Sequence, residues 1–402
     1  MKTLFNNYFN SFKGLSREVW WLALITLINR AGTMVIPFLS IYLTEDLNLS
    51  FSNVGWIMTS FSIGSLVGTW IGGKLTDKIG YYKIMVFSLL LTGFLFIGLQ
   101  YLTTFKLLCI GVFILTLFAD MFRPAMFVAL SAYSKPENKT RSVTLIRLAI
   151  NLGFSAGPVL GGLIIVTLGY AGLFWVDGVT CIAATLLLIN VLNPKKAKVQ
   201  DDIKNGNPES AYRDISFILF CLALILFGFI FFQYFSAMPI YYRKTHLLSE
   251  LQVGILLGAN GFLIFLFEMP LIKWLESKPF SKIGYVLFGA ILTGLSFLIL
   301  IVSNWIGVII IGMFLMTFGE MIAFPFANAF AMERAKKGNQ GEYMALYAMT
   351  FSFAGIFAHN AGLQLAEGIG FDNTWLIMTA VSTLCVILLL GLNLYMKAKK
   401  DK

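Results

Sequence analysis

The sequence predicts an all-α membrane protein with twelve transmembrane helices. Hydrophobic residues make up 58% of the 402 residues and charged residues only 12%, which is about half of the charged share of a soluble domain. The mean hydropathy is +0.80. A helix needs roughly 20 apolar residues to cross the hydrocarbon core of a bilayer. The chain alternates apolar runs of about that length with short polar segments, and each such run predicts one span.

The twelve predicted spans are residues 19–43, 51–71, 84–103, 107–133, 145–166, 173–192, 215–241, 253–275, 283–302, 305–331, 344–365 and 374–396. The longest polar stretch, residues 193–214, falls between the sixth and seventh spans. Its Pro, Gly, Lys and Asp content is typical of a linker. We therefore expect an N-terminal six-helix half (1–192), a cytoplasmic linker (193–214) and a C-terminal six-helix half (215–402).

The net charge of +10 is spread unevenly along the chain. If the N-terminus is cytoplasmic, most lysines and arginines fall in inner segments, and the outer loops keep Lys106, Arg243 and Lys244. This asymmetry orients a multi-pass protein with both termini in the cytoplasm. We expect a location in the cell (inner) membrane, with the lipid bilayer as the solvent, and no nucleic-acid partner.

A glycine-rich charged segment joins the second and third predicted spans. Gly73, Asp77, Lys78, Gly80 and Lys83 occur in the sequence GGKLTDKIGYYK. These residues resemble the loop signature that the major facilitator superfamily carries between its second and third helices. The resemblance implies the twelve-helix fold of that superfamily, two halves that rock about a central cavity, and a gating role for this segment on the inner side.

The fifth predicted span carries a second glycine pattern. Gly153, Gly157, Pro158, Gly161 and Gly162 match GxxxGPxxGG at every defined position. The pattern resembles the antiporter signature found mainly in drug:proton exchangers of the superfamily. Small residues four apart also form a flat face for close helix packing in any bundle, so a purely structural interpretation stays open.

Few ionisable residues lie inside the predicted spans, where each is costly unless it is paired or reaches water. Glu320 lies deep in the tenth span with no nearby cation in sequence, and we expect it to carry protons. Asp120 and Arg123 share one helix face at i and i+3 and predict an ion pair. Arg30 and Arg147 complete the predicted proton-coupling set. A structural interpretation of Glu320, as an acid paired with Arg30 or Arg123, stays open.

Other polar residues in the spans are expected to face the interior of the bundle rather than lipid. The predicted substrate cavity consists of Asn29, Gln233, Tyr234, Asn260, Glu268 and His359. For His359, an ordinary packing role is the alternative.

Common enzyme signatures are absent from the sequence. There is no GxxxxGK[ST] loop for ATP, no Ser/His/Asp set and no metal-ligand cluster, so we expect no enzymatic activity, cofactor or metal. We therefore expect a monomeric, proton-coupled exporter of lipophilic, cationic small molecules. Two alternatives are a proton-coupled importer of a peptide, sugar or organic anion, and a membrane sensor that does not transport.

Overall fold

The computed structural model describes residues 14–32, 34–135, 139–193, 210–303, 305–335 and 340–400. Every regular element in these ranges is helical, as expected for a chain whose backbone polar groups must be satisfied within lipid. The predicted linker, residues 193–214, lies mostly outside the described residues.

The α-helices are α1 (Arg17–Ala31), α2 (Val35–Ile41), α3 (Phe51–Ile79), α4 (Tyr81–Leu99), α5 (Phe105–Tyr133), α6 (Lys139–Val191), α7 (Ile215–Phe231), α8 (Ala237–Lys244), α9 (Glu250–Glu276), α10 (Lys282–Val302), α11 (Gly307–Ala335) and α12 (Gln340–Lys400). A π-helical turn, Tyr42–Asp46, follows α2. Two 3₁₀ turns, Ala211–Arg213 and Phe232–Phe235, flank α7.

Ten helical stretches of the described chain are long and apolar enough to cross a membrane. The chain is therefore a multi-pass membrane protein. Two of these stretches have 47 and 53 residues, about twice what one crossing needs. They are interrupted at Gly169 and Gly370, where φ is +70° and +81°. Residues with a Cβ avoid this conformation, so two helical segments meet at each glycine.

Two of the predicted spans are interrupted in the structure. The first span divides into α1 and α2, between Ala31 and Val35. The seventh divides into α7 and α8, joined by the 3₁₀ turn Phe232–Phe235. In transporters, interrupted helices bring backbone groups and polar side chains to the site. These two breaks are therefore candidate functional positions.

Contacts between residues divide the chain into two compact units. Unit 1 contains Met1–Phe38, Ser60–Asp202 and Glu250–Phe262. In it, α1 and α4 both pack on α6, and α4 also packs on α5. Its core is aliphatic and aromatic, with Leu22 and Phe122 among the buried side chains.

Unit 2 contains Leu39–Thr59, Ile203–Ser249 and Leu263–Lys402. In it, α12 packs on α7 and on α10, and α10 packs on α11. Phe231, Phe324 and Phe351 form a chain of ring contacts with centroids 4.9 and 5.2 Å apart. This aromatic packing joins α7, α11 and α12.

An ion pair also joins helices within unit 2. Asp214 begins α7 and accepts a hydrogen bond from the N–H of Phe217 at 3.2 Å. Its other oxygen accepts bonds from Arg334 Nε at 2.8 Å and from the Tyr343 hydroxyl at 3.0 Å. Since Arg334 belongs to α11 and Tyr343 to α12, this carboxylate ties the ends of three helices together.

Candidate functional site

The structure brings Arg30, Asp120 and Arg123 together in unit 1. Asp120 and Arg123 both lie within electrostatic range of the Arg30 guanidinium, which also lies 5.5 Å from the centre of the Phe154 ring. Within the described residues, Asp120 and Arg123 do not form the ion pair that their spacing predicts. Arg123 is exposed and Asp120 is half-buried. The cluster is therefore centred on Arg30, at the end of α1.

Three other predicted site residues belong to unit 1: Arg147, Asn29 and Asn260. Arg147 is exposed on α6. Asn29 is buried beside Arg30, and its amide contacts the Cys181 thiol at 3.8 Å. Asn260 is buried on α9. Asn29 thus joins the Arg30 cluster.

The glycine pattern of the fifth predicted span faces the end of α1. A Cβ at Gly153 would lie 2.5 Å from the Cβ of Arg30, and one at Gly161 would lie 3.0 Å from that of Met34. Farther along α6, a Cβ at Gly162 would lie 2.7 Å from the backbone oxygen of Glu250. The pattern therefore allows α6 to approach the Arg30 segment on one side and α9 on the other.

The loop signature between α3 and α4 combines a glycine turn at Gly80 with exposed lysines. Gly80 caps α4 with φ +90°, a conformation that favours glycine. Close helix packing comes from Gly72, where a Cβ would lie 2.6 Å from the Met121 Cα, whereas nothing lies within 4 Å of a Cβ at Gly73. Of these two glycines, Gly72 is therefore the one that allows close helix packing. Lys78 and Lys83 are exposed, and the Asp77 side chain is outside the described part of the chain.

A second polar cluster occupies the break between α7 and α8 in unit 2. The Gln233 side chain is fully buried and its Nε2 donates to the Ala358 oxygen at 2.8 Å. His359 is the residue after Ala358, and the centre of its ring lies 5.3 Å from that of Phe232. Among the described residues, neither Oε1 of Gln233 nor Nδ1 of His359 has a hydrogen-bond partner. Buried polar atoms are rarely left unpaired, which marks this cluster as a place for a ligand or water.

Tyr234, Glu320 and Glu268 lie in the same unit. The Tyr234 hydroxyl is buried without a hydrogen-bond partner in the described residues, and Glu320 of α11 lies within electrostatic range of it. Glu320 is half-buried, and Glu268 is buried on α9. The structure therefore associates the predicted proton carrier, Glu320, with the break in the seventh predicted span.

Sequence reasoning missed Asp177. This residue lies in the predicted sixth span, has no exposed surface, and accepts backbone hydrogen bonds from Met34 and Val35 at 3.0 and 2.7 Å. The signal that identifies it is simple: an acidic residue inside an apolar run is a functional candidate by default. Within the described residues, no group of three or more His, Cys, Asp or Glu side chains could hold a metal ion.

The family model described as Major Facilitator Superfamily matches residues 22–359 and 285–401 of this chain. The chain belongs to the Major Facilitator Superfamily. Members of this superfamily are membrane transporters rather than enzymes, so the chain acts on small-molecule substrates across a bilayer.

The chain is similar to two bacterial relatives at low identity. It is 22% identical over 390 residues to a "Na(+), Li(+), K(+)/H(+) antiporter" of Planococcus maritimus, with 89% of this chain and 91% of the relative covered. It is 23% identical over 308 residues to the quinolone resistance protein NorA of Staphylococcus aureus (strain MRSA252), with 74% and 77% covered. Both comparisons extend over most of the chain.

A solved structure shows the same fold. The crystal structure of a POT family transporter in complex with 5-aminolevulinic acid has a TM-score of 0.81 to this chain, at 15% identity. The similarity covers 94% of this chain and 96% of that one. At this identity the likeness shows the fold alone.

Proposed function

We propose that this superfamily member is a proton-coupled antiporter that exports lipophilic, cationic small molecules by alternating access. The observation that carries the proposal is the polar cluster of unit 2, where Glu320 lies near Tyr234 at the break after α7. The quinolone resistance protein NorA and the cation/proton antiporter among the relatives support an export function with proton exchange.

The surroundings of Glu320 suit a lipophilic cation. Phe324 lies one turn farther along α11, on the same helix face as Glu320, and its ring contacts Phe227, Phe231 and Phe351 at 5.5, 4.9 and 5.2 Å. Aromatic faces and a carboxylate both attract an organic cation. Gln233 and His359 add buried atoms that are available for hydrogen bonds.

In this proposal, the charge of Glu320 couples the two fluxes. The ionised carboxylate binds the cationic substrate, and a proton arriving from outside neutralises the carboxylate and releases the substrate outward. The same carboxylate cannot hold both cations at once, so the exchange is obligatory if the unoccupied, ionised transporter does not reorient. In unit 1, Asp120 and Arg123 set the electrostatic environment of Arg30, and Arg147 lies on the first part of α6.

The topology that the proposal requires has twelve spans. The two longest helical stretches each supply two crossings, divided at Gly169 and Gly370, which adds two to the ten long apolar stretches of the described residues. The two six-helix halves, the cytoplasmic termini, the location in the cell inner membrane and the monomeric state belong to this proposal.

A second candidate function is exchange of monovalent metal cations for protons. The printed name of the Planococcus maritimus relative, which the comparison covers almost end to end, favours it. Carboxylate and amide oxygens are suitable ligands for hard cations, and Glu320 and Gln233 supply such oxygens. The nutrient-importer alternative has in its favour only fold-level likeness to solved transporters, such as that of the POT family.

The test compares Glu320→Gln with Glu333→Gln in proteoliposomes that contain a pH-sensitive dye. Glu333 lies on the same helix but is exposed and paired with Lys282, so its variant controls for loss of a carboxylate from α11. With an ethidium gradient as the driving force, Glu320→Gln is expected to lower proton flux at least tenfold, while Glu333→Gln stays within twofold of the wild type. Wild-type flux in Glu320→Gln would refute the assignment of Glu320 as proton carrier.

A further inference from the structure

The first predicted span is interrupted just after Arg30. The segment α1 ends at Ala31, and the N–H of Gly32 bonds to the Ile28 oxygen at 2.9 Å. The next helical segment, α2, begins at Val35. The first N–H groups of a helix have no acceptor within their own helix. Inside a membrane, such groups need an acceptor from elsewhere in the protein.

Asp177 of α6 supplies that acceptor. Its Oδ1 accepts the N–H of Met34 at 3.0 Å, and its Oδ2 accepts the N–H of Val35 at 2.7 Å. Asp177 has no exposed surface, and Met34 and Val35 are also buried. Each oxygen of the carboxylate thus holds one backbone N–H at the break.

The backbone around Asp177 is held tightly on two sides. A Cβ at Gly32 would lie 2.1 Å from the Thr180 hydroxyl, and one at Gly178 would lie 2.7 Å from the Gly93 oxygen. The part of α6 that carries Asp177 is therefore in close contact with the break on one side and with α4 on the other. When the protonation state of the Asp177 carboxyl changes, the backbone of the break must move, because α6 has little room to move.

The ionisable groups around Asp177 come from three elements. Cys181 lies one turn farther along α6, and its thiol is within electrostatic range of both Asp177 and Arg30 of α1. The guanidinium of Arg30 in turn interacts electrostatically with Asp120 and Arg123 of α5. The facing part of α4 presents Gly93 and Ile97. Within the described residues, no Lys, Arg or His side chain forms an ion pair with Asp177.

We propose that Asp177 exchanges a proton during the transport cycle and that its charge state sets the geometry of the helix break beside Arg30. Ionised, the carboxylate accepts both N–H groups. Protonated, one oxygen carries a hydrogen, becomes a donor and accepts more weakly, so the hydrogen bond from either Met34 or Val35 weakens and the start of α2 rearranges. Asp177 is thus a positioning residue that acts through the backbone of Met34 and Val35. The inference rests on the proposed proton-coupled transport.

The chemistry of the residue argues for this role over a simple cap. Uncharged side chains such as Asn and Ser also cap helix starts. An acidic group in the membrane interior costs several kcal/mol unless it is compensated, and Asp177 has backbone hydrogen bonds but no ion-pair partner in the described structure. A titratable group at this position, despite its free-energy cost, is explained if Asp177 changes its charge during transport.

The experiment compares the wild type with Asp177→Asn and Asp177→Glu in proteoliposomes. The Asn variant keeps an oxygen that can cap the break but cannot titrate, whereas the Glu variant keeps the titratable group. Two rates are measured from pH 5 to 9: exchange of isotope-labelled ethidium at equilibrium, which needs no net proton movement, and proton flux driven by an ethidium gradient. Gel filtration in detergent checks the folding of each variant.

We expect Asp177→Asn to keep ethidium exchange within threefold of the wild type, with a changed pH profile because Glu320 but not residue 177 titrates, and to lose gradient-driven proton flux at least tenfold. We expect Asp177→Glu to restore the flux with a shifted pH profile. A wild-type ratio of proton to ethidium flux in Asp177→Asn, with an unchanged pH profile, would overturn the proposal and leave Asp177 as a cap.

If Asp177→Asn does not fold, the pH profile of Asp177→Glu decides: a shifted profile supports the proposal and an unchanged one overturns it. The wild type keeps this test separate from the proposed function. Absence of ethidium-driven proton flux in the wild type would refute the proposed drug:proton exchange itself. A coupled wild type with a fully coupled Asp177→Asn variant would refute only the role of Asp177.

Discussion

Replacement of Asp214 by Asn is expected to destabilise the protein substantially. The Asp214 side chain is 5% exposed and that of its partner Arg334 is 15% exposed, so solvent screens their attraction little. Removal of one partner from a buried ion pair costs about 3–5 kcal/mol, because it leaves the other charge uncompensated. Since Asn keeps the cap to the Phe217 N–H, we expect a loss near the lower end, about 3 kcal/mol.

The matched control is the neighbouring pair of Lys282 and Glu333. Its N–O distance is 2.7 Å, but the two side chains are 39% and 57% exposed. An exposed pair contributes only about 0.2–1 kcal/mol. Thermal unfolding in detergent, followed by tryptophan fluorescence, measures both Asp214→Asn and Glu333→Gln. A loss in Asp214→Asn no larger than that in Glu333→Gln would refute the reasoning from burial.

The pH dependence of the Asp214 pair gives an independent check. Burial raises the pKa of this carboxyl, but hydrogen bonds and charge from Arg334, together with the bonds from Tyr343 and Phe217, outweigh it, so the pKa lies below its usual value. A lowered pKa in the folded state stabilises the protein above the ordinary pKa of about 3.9. The stability difference between the wild type and Asp214→Asn should therefore be constant from pH 5 to 8. It should shrink as the pH falls below about 4.

Two further predictions concern packing and an ion pair. A Cβ at Gly254 would lie 2.3 Å from the backbone oxygen of Pro158, so Gly254→Ala is expected to cost about 1–3 kcal/mol. Gly391→Ala, where nothing lies within 4 Å, should leave stability unchanged or raise it by up to about 1 kcal/mol; equal thermal midpoints for the two variants would contradict this. Arg243 binds Glu45 through Nε and Nη2, and Arg243→Lys, which lacks the forked donor geometry, is expected to lower stability by roughly 1 kcal/mol. An unchanged thermal midpoint would show that the fork contributes nothing.

The helical, multi-pass architecture could be predicted from the sequence because lipid requires every backbone polar group to be satisfied within the protein, and a helix satisfies most of its own. Predicted spans such as 107–133 agree closely with the helix Phe105–Tyr133. The breaks in the first and seventh spans could not be predicted by hydropathy. The 3₁₀ turn Phe232–Phe235 contains the polar residues Gln233 and Tyr234, but two such residues in a long apolar run lower its average hydropathy too little to mark a break.

The candidate site was predictable in part. Arg30, Glu320 and Gln233 stand out as polar residues in apolar runs, and this signal does not depend on the tertiary structure. The expected ion pair between Asp120 and Arg123 is absent from the described structure. Helical spacing limits which residues can meet, but tertiary packing placed Arg30 of another helix within range of both.

The role of Asp177 could be inferred only from the structure. Its sequence context identifies a buried acid, but the backbone N–H groups that it binds belong to residues more than 140 positions away. Those groups are available only because the first span is interrupted. The identity of the partner therefore depends on a local backbone break that neither composition nor periodicity reports.

The most direct test of the central claim is the direction of proton movement when ethidium is added outside proteoliposomes that contain the wild-type protein and an internal pH dye. Antiport predicts that the lumen becomes more alkaline than in liposomes without protein, because protons leave as ethidium enters. Alkalinisation by Na⁺ or K⁺ but not by ethidium would favour the second candidate, monovalent cation/proton exchange. Acidification of the lumen, or no proton movement beyond that of the empty liposomes with any of these cations, would contradict proton antiport.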